Sequence, residues 1–282
     1  MWRLAYVLLV GACAMEPPRC QLLLVADLPT RLTQSGLEVT GQINRVDTRL
    51  LVDTGAERTV LTAQTIRSEL LARSKLSITQ LTGVTGTISN ADVFADLQLG
   101  AVDFQQRFAV ADIPGVGGLV GGDLLSDYDV ELDIPERRVR LWKASSCRAD
   151  QLPWTGQRAT LPAHVTMGNR VVVPAAVNGR PVDALLDTGS SISLLSADLP
   201  GHLGGRATPE DTMATIPGIG AGSAMVRFHR FASMDVGQDH IPSPLIAIGE
   251  TLSIAPDMVL GLDYLKGHRI WISYRARQVF IQ

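Results

Sequence analysis

Several things are scarce in this chain of 282 residues: cysteine occurs three times, aromatic residues make up 5%, and no charge sign dominates. With 25 basic and 28 acidic residues the net charge is -3, and Lys and Arg never form a run. A nucleic-acid or anionic-lipid footprint is therefore missing. Roughly 20 consecutive apolar residues would be needed for a membrane-spanning helix, and no such stretch occurs. The five histidines (His164, His202, His229, His240 and His268) lack the spacing of metal ligands, so neither a metal nor a cofactor is expected.

What is abundant points to β structure. The 26 glycines and 15 prolines break up many short Val/Leu/Ile/Thr runs, and 46% hydrophobic content suffices for a large core in one big domain or two of ordinary size. The first residues, MWRLAYVLLVGACA, combine Arg3, an apolar stretch from Leu4 to Val10 and small residues, the pattern of an export signal over residues 1–14. Ala12 and Ala14 suit cleavage by a signal peptidase, whereas VGAC resembles a bacterial lipobox with Cys13 as a lipid-anchored terminus. A buried first strand is the remaining alternative.

Displacing the chain on itself by 134 residues brings Asp187 onto Asp53 and Asn178 onto Asn44, without a gap back to Leu37 on Val171. Further on, LVGGDLL (119–125) matches VLGLDYL (259–265) at an offset of 140. The chain thus reads as two homologous halves, 28–142 and 161–282, joined by a linker at 143–160. Each half opens with two strands around a turn, at Asn44-Arg45 and at Asn178-Gly179, and the second strand ends on the Asp. Residues Ala63 to Ser74 show a helical apolar face of Ile66, Leu70 and Leu71. Asp123, Asp127, Asp129, Glu131 and Asp133 alternate along a strand and are expected on a solvated face rather than around calcium.

Asp-Thr-Gly occurs twice, as Asp53-Thr54-Gly55 and Asp187-Thr188-Gly189, each after two apolar residues and each followed, 68 and 74 residues on, by an apolar pair and glycine ending at Gly121 and Gly261. On these motifs the chain resembles the bacterial retropepsin-like and pepsin-like aspartic proteases: Asp53 to Ala56 is similar to the retroviral signature, Asp187 to Ser191 to the pepsin one. The resemblance implies a mainly β fold of two retropepsin-like β-barrel lobes about a pseudo-twofold axis, with the Gly121 and Gly261 segments threading behind the two loops. It also places flap hairpins at the glycine-rich apices containing Gly83 and Gly86, and Gly218 and Gly220, although neither apex has the Tyr of pepsin-like flaps.

The chemistry accounts for the residue types. Two adjacent carboxylates cannot both ionise cheaply, so they share a proton and supply a base and an acid to one water. Thr54 and Thr188 offer short hydroxyls for bonds across to the opposite loop, and Gly55 and Gly189 permit the tight turn. Ser190, where the first half has Ala56, is expected to donate to Asp187 and leave the shared proton on Asp53. These features lead to an aspartic endopeptidase acting on peptide or protein substrates as a monomeric intramolecular pseudo-dimer. It would be exported, as a periplasmic or membrane-anchored lipoprotein of a bacterium. The alternative is an inactive peptide-binding module with the same cleft. With Cys13 lipidated or removed, export leaves Cys20 and Cys147 to pair or to remain as two thiols.

Overall fold

The computed structural model describes residues 20–68, 73–83, 86–145, 147–148, 150–217, 222–249 and 257–282. In the first half, strands Gly36–Ile43 and Val46–Val52 form a hairpin whose turn residues Asn44 and Arg45 both have positive φ, 47° and 73°. In the second half, Val171–Val177 and Arg180–Leu186 do the same through Asn178 and Gly179, at 52° and 72°. Two left-handed residues give a turn whose twist matches that of the flanking strands. That fixes the register which sends Leu50, Leu51 and Val52, and likewise Ala184, Leu185 and Leu186, into the interior ahead of the Asp.

The second strand of each hairpin lies parallel to a short, fully buried one. Val46–Val52 runs beside Gly118–Val120, and Arg180–Leu186 beside Met258–Leu260. On their other side these short strands pair antiparallel with Val60–Leu61 and Leu194–Ser196, which carry the chain away from each Asp loop. Each Asp loop is thus held between two neighbours of one central strand. Helices Gly122–Leu125 and Leu262–Leu265 follow at once, each burying two or more apolar residues.

A six-strand run joins the halves: Ala159–Pro162, Gln278–Ile281, Arg269–Ser273, Asp129–Asp133, Arg138–Ser145 and Gln21–Thr33. Its centre pairs Trp271 with Glu131 and Ile270 with Leu132. Among the described residues regular structure therefore begins at Gln21, ahead of residue 28, and continues to Ser145, while Ala159–Pro162 in the linker region pairs with the last strand. Trp154, between the halves, is buried against Trp271. Cys20 and Cys147 are joined by a disulfide that ties the start of the first strand to that segment.

Two expectations from the sequence change here. Of the helix expected over Ala63 to Ser74, Ala63–Ser68 is helical with Ile66 buried, residues 69–72 lie outside the described residues, and the chain from Arg73 to Gly83 is a strand paired with Gly86–Leu99. At Arg73, pairing with a partner strand opposite Val93 decides for sheet over helix. The acidic strand is not solvated either: Glu131 is fully buried and Asp133 is 5% exposed. Glu131 accepts from Arg140 at 2.9 Å, from Arg269 at 2.9 and 2.5 Å, and from the indoles of Trp142 at 2.9 Å and Trp154 at 3.2 Å. Five charge-assisted bonds offset the loss of water that such burial demands.

Candidate active site

Asp53 and Asp187 leave their strands through the same bond, the Asp53 N–H to Val120 O and the Asp187 N–H to Leu260 O, both 3.0 Å. One oxygen of each carboxyl then accepts two backbone amides: Gly55 and Ala56 at 3.0 and 2.9 Å for Asp53, Gly189 and Ser190 at 2.8 and 3.2 Å for Asp187. The carboxyls are hydrogen-bonded to one another and keep only part of their surface open. A Cβ at Gly55 would lie 2.3 Å from Asp187 Cγ, and one at Gly189 2.4 Å from Asp53 Cγ. Each glycine therefore makes room for the opposite carboxyl, which is why the motif needs a residue without a side chain there.

The threonines between them close the structure from below. Thr54 donates its hydroxyl to Leu186 O at 2.8 Å and Thr188 to Val52 O at 2.6 Å, and each hydroxyl accepts the other threonine's N–H at 3.1 Å. Both are fully buried. Four bonds in a dry environment fix the two loops against each other, and with them the spacing of the carboxyls.

Burial raises both acids above the ordinary carboxylate value. Asp53 stands well above it, first through burial and then through repulsion from Asp187. Burial also lifts Asp187, but the bond from Asp53, the amides of Gly189 and Ser190, and the charge of Arg170 pull the other way. The pair is thus biased toward a proton on Asp53 and a charge on Asp187. The source of this bias differs from the sequence expectation. Ser190 Oγ donates to Ile192 O at 2.7 Å rather than to Asp187, because the turn brings that carbonyl closer to the hydroxyl.

Behind each Asp stands a second carboxylate: Asp123, expected on a solvated strand, lies instead in the helix Gly122–Leu125, and Asp263, in the matching helix, was not singled out in the sequence. Asp123 accepts from the Thr59 N–H and hydroxyl at 2.8 and 2.6 Å, and that hydroxyl accepts from Gly121 N at 3.0 Å. In the other half Asp263 holds Ser193 N and Oγ at 2.9 and 2.7 Å, and Ser193 Oγ accepts from Gly261 N at 3.2 Å. Thr59 and Ser193 align at the offset of 134 that aligns the Asp loops, and Asp123 and Asp263 at the downstream offset of 140, so that signal was available. So Gly121 and Gly261 lie directly behind the loops, and a side chain at either would strike the backbone at Arg58 or Ile192. A contact between the halves was also missed: Arg170 pairs with Glu57 at 3.0 Å.

The glycine-rich apices belong to long hairpins. Gly83 pairs with Gly86 at the end of the first, whereas Gly218 and Gly220 lie outside the described residues, between strands Thr212–Pro217 and Ser223–Arg230. Among the described residues no group of three or more His, Cys, Asp or Glu could hold a metal ion.

Residues 39–127 match the gag-polyprotein aspartyl protease family, and residues 173–264 match a second family model, Aspartyl protease. Among curated proteins no sequence matches the chain. An aspartic proteinase from Irpex lacteus is similar in fold, with a TM-score of 0.57 at 13% identity, over 91% of this chain and 96% of that one. Each half thus matches an aspartyl protease family model, and the fold over nearly the whole length is similar to that of an aspartic proteinase, which supports a place in the retropepsin- and pepsin-like family.

Proposed function

We propose that the protein is an aspartic endopeptidase in which Asp53 and Asp187 activate a water for attack on a peptide carbonyl. The observation that carries this reading is the hydrogen-bonded carboxyl pair held by mirrored loops, each acid raised by burial and Asp53 the more so. Asp187, ionised, takes a proton from the water. Asp53, protonated, donates to the carbonyl oxygen, and the resulting tetrahedral intermediate collapses when the leaving nitrogen is protonated. In this reading the hairpins Arg73–Gly83/Gly86–Leu99 and Thr212–Pro217/Ser223–Arg230 would cover an extended peptide and exclude water. The Cys20–Cys147 disulfide favours an exported protein in an oxidising compartment, with Cys13 a possible point of lipid attachment.

A mixed peptide library incubated from about pH 3 to 7 tests the reading. Cleavage by a monomeric wild-type protein, abolished in Asp53→Asn and in Asp187→Asn, is expected. Retained peptide binding without cleavage at any pH would instead identify a non-catalytic peptide-binding module.

A further inference from the structure

A cavity of about 630 Å³ opens in the second half, within the size range of small-ligand pockets. None of the Asp-loop residues 53–56 or 187–190 lines it. One wall carries Asp263, the carboxylate that holds Ser193. Its counterpart in the first half, Asp123, also carries a cation, Arg58, whose Nε lies 3.5 Å away. At the position of Arg58 the second half has Ile192. Asp263 receives only neutral donors, Ser193 N, Ser193 Oγ and Tyr264 N, and is exposed to the cavity that it lines.

The remaining charges leave that carboxylate in excess. Asp239 accepts from the Tyr264 hydroxyl at 2.8 Å and lies 3.0 Å from His268 Nε2, both on Oδ2. His268 Nδ1 is 3.0 Å from Tyr264 O, a carbonyl that can only accept. Asp239 thus already has the Tyr264 hydroxyl and the His268 ring as partners. His240 also lines the cavity, but its Nδ1 is bonded to Asp235, which does not. Among the described residues no Lys or Arg lines the cavity, and Met234, Ile241, Leu245 and Ile246 supply apolar surface.

We propose that this cavity binds an arginine side chain of a partner polypeptide, its guanidinium on Asp263 and its methylenes on the Ile241 and Ile246 wall. A planar cation there would do for Asp263 what Arg58 does for Asp123. The occupant would adjoin the scaffold of the second Asp loop, because Ser193 holds Gly261 N and the next amide, Leu262 N, donates to Ser190 O at 2.8 Å. The site does not depend on peptide cleavage.

Calorimetric titration with Nα-acetyl-arginine amide, and with its neutral citrulline counterpart, tests the proposal on the wild type and on Asp53→Asn. Saturable binding of the arginine probe to both proteins is expected, at least about 10-fold tighter than citrulline. Asp263→Asn should bring the arginine probe down to the citrulline level. Ile241→Trp, which fills the cavity and leaves both carboxylates in place, should abolish binding at unchanged melting temperature. No saturable binding of the arginine probe overturns the proposal, as does equal affinity for citrulline. So does binding that survives both substitutions.

Discussion

Thr54 and Thr188 make the same bonds in opposite directions, yet the sheet joining the halves pairs a carboxylate with an indole at equivalent positions, Glu131 opposite Trp271. At the Asp loops two acids must be held at one separation, and mirrored bonds accomplish this with a single motif used twice. The joining sheet has no such demand, and there divergence is useful. Glu131 draws Arg140 from one half and Arg269 from the other, while Trp154 covers it from the segment between them. A carboxylate at both central positions would set two like charges directly opposite one another. The retained symmetry therefore serves chemistry, and the lost symmetry serves cohesion.

The comparison is broken most severely at the glycines. In Gly55→Ala or Gly189→Ala the new methyl group would lie within 2.3 to 2.6 Å of the opposite carboxyl. The carboxyls must separate, and displacement of this kind costs about 10²-fold or more in kcat. Steady-state peptidase assays should show similar losses for both substitutions. A much milder effect in one half would mean that the loops are not functionally equivalent.

In the joining sheet, Glu131→Ala leaves two arginines and two indoles without their shared acceptor. Loss of one member of such a buried cluster costs about 3–5 kcal/mol, readable as a lower denaturation midpoint. The folded fraction should keep the wild-type pH profile, since Glu131 plays no part at the dyad. A shifted profile would show that the two regions are coupled.

The Asp pair itself links activity to stability. Burial, followed by repulsion from Asp187, raises Asp53 in the folded state, so between its ordinary value of 3.8 and the raised one the folded protein holds a proton that the unfolded chain has released. Stability contributed by that proton is present at low pH and is lost as pH rises through the folded value. Asp53→Asn removes this dependence. Relative to wild type, the variant should gain stability from acidic to neutral pH in denaturation curves. A constant difference across that range would contradict the assigned direction.

Much of this was legible in the sequence because it rests on local constraints. The hairpins ending on Asp53 and Asp187 follow from Asn44-Arg45 and Asn178-Gly179, and the Asp-Thr-Gly motif needs its own small residues wherever it occurs. The mainly β class followed from the composition, and the division into two similar halves from the repeat. Contacts distant along the chain were harder to read. The alternation around Glu131 is that of a solvated strand until Arg269, 138 residues away, is placed beside it. The strand at Arg73, where the apolar spacing reads as helix, is likewise set by a partner, Arg73 lying opposite Val93. Ser190 was misread because its hydroxyl had two acceptors within one turn, and sequence spacing does not choose between a carboxylate and the carbonyl of Ile192.

That misreading leads to the smallest and sharpest test of asymmetry. Ser190 was expected to favour ionisation of Asp187, but the cation on that side of the pair is Arg170, and the repeat places Gly36 at the equivalent position of the first half. The charged neighbours are few: Arg170 is ion-paired to Glu57, whose charge it offsets. In Arg170→Gln, Asp187 loses a positive neighbour and Glu57 loses its partner, and both changes make a second negative charge harder to hold. The acidic limb of kcat/KM, which reports ionisation of the pair in the free enzyme, should therefore move to higher pH. Arg170→Lys keeps the charge and should largely restore the limb, which a purely structural role would not predict. Ser190→Ala removes a hydroxyl bonded to Ile192 O and should leave the limb in place. Movement of the limb in Ser190→Ala, with none in Arg170→Gln, would return the asymmetry to the serine.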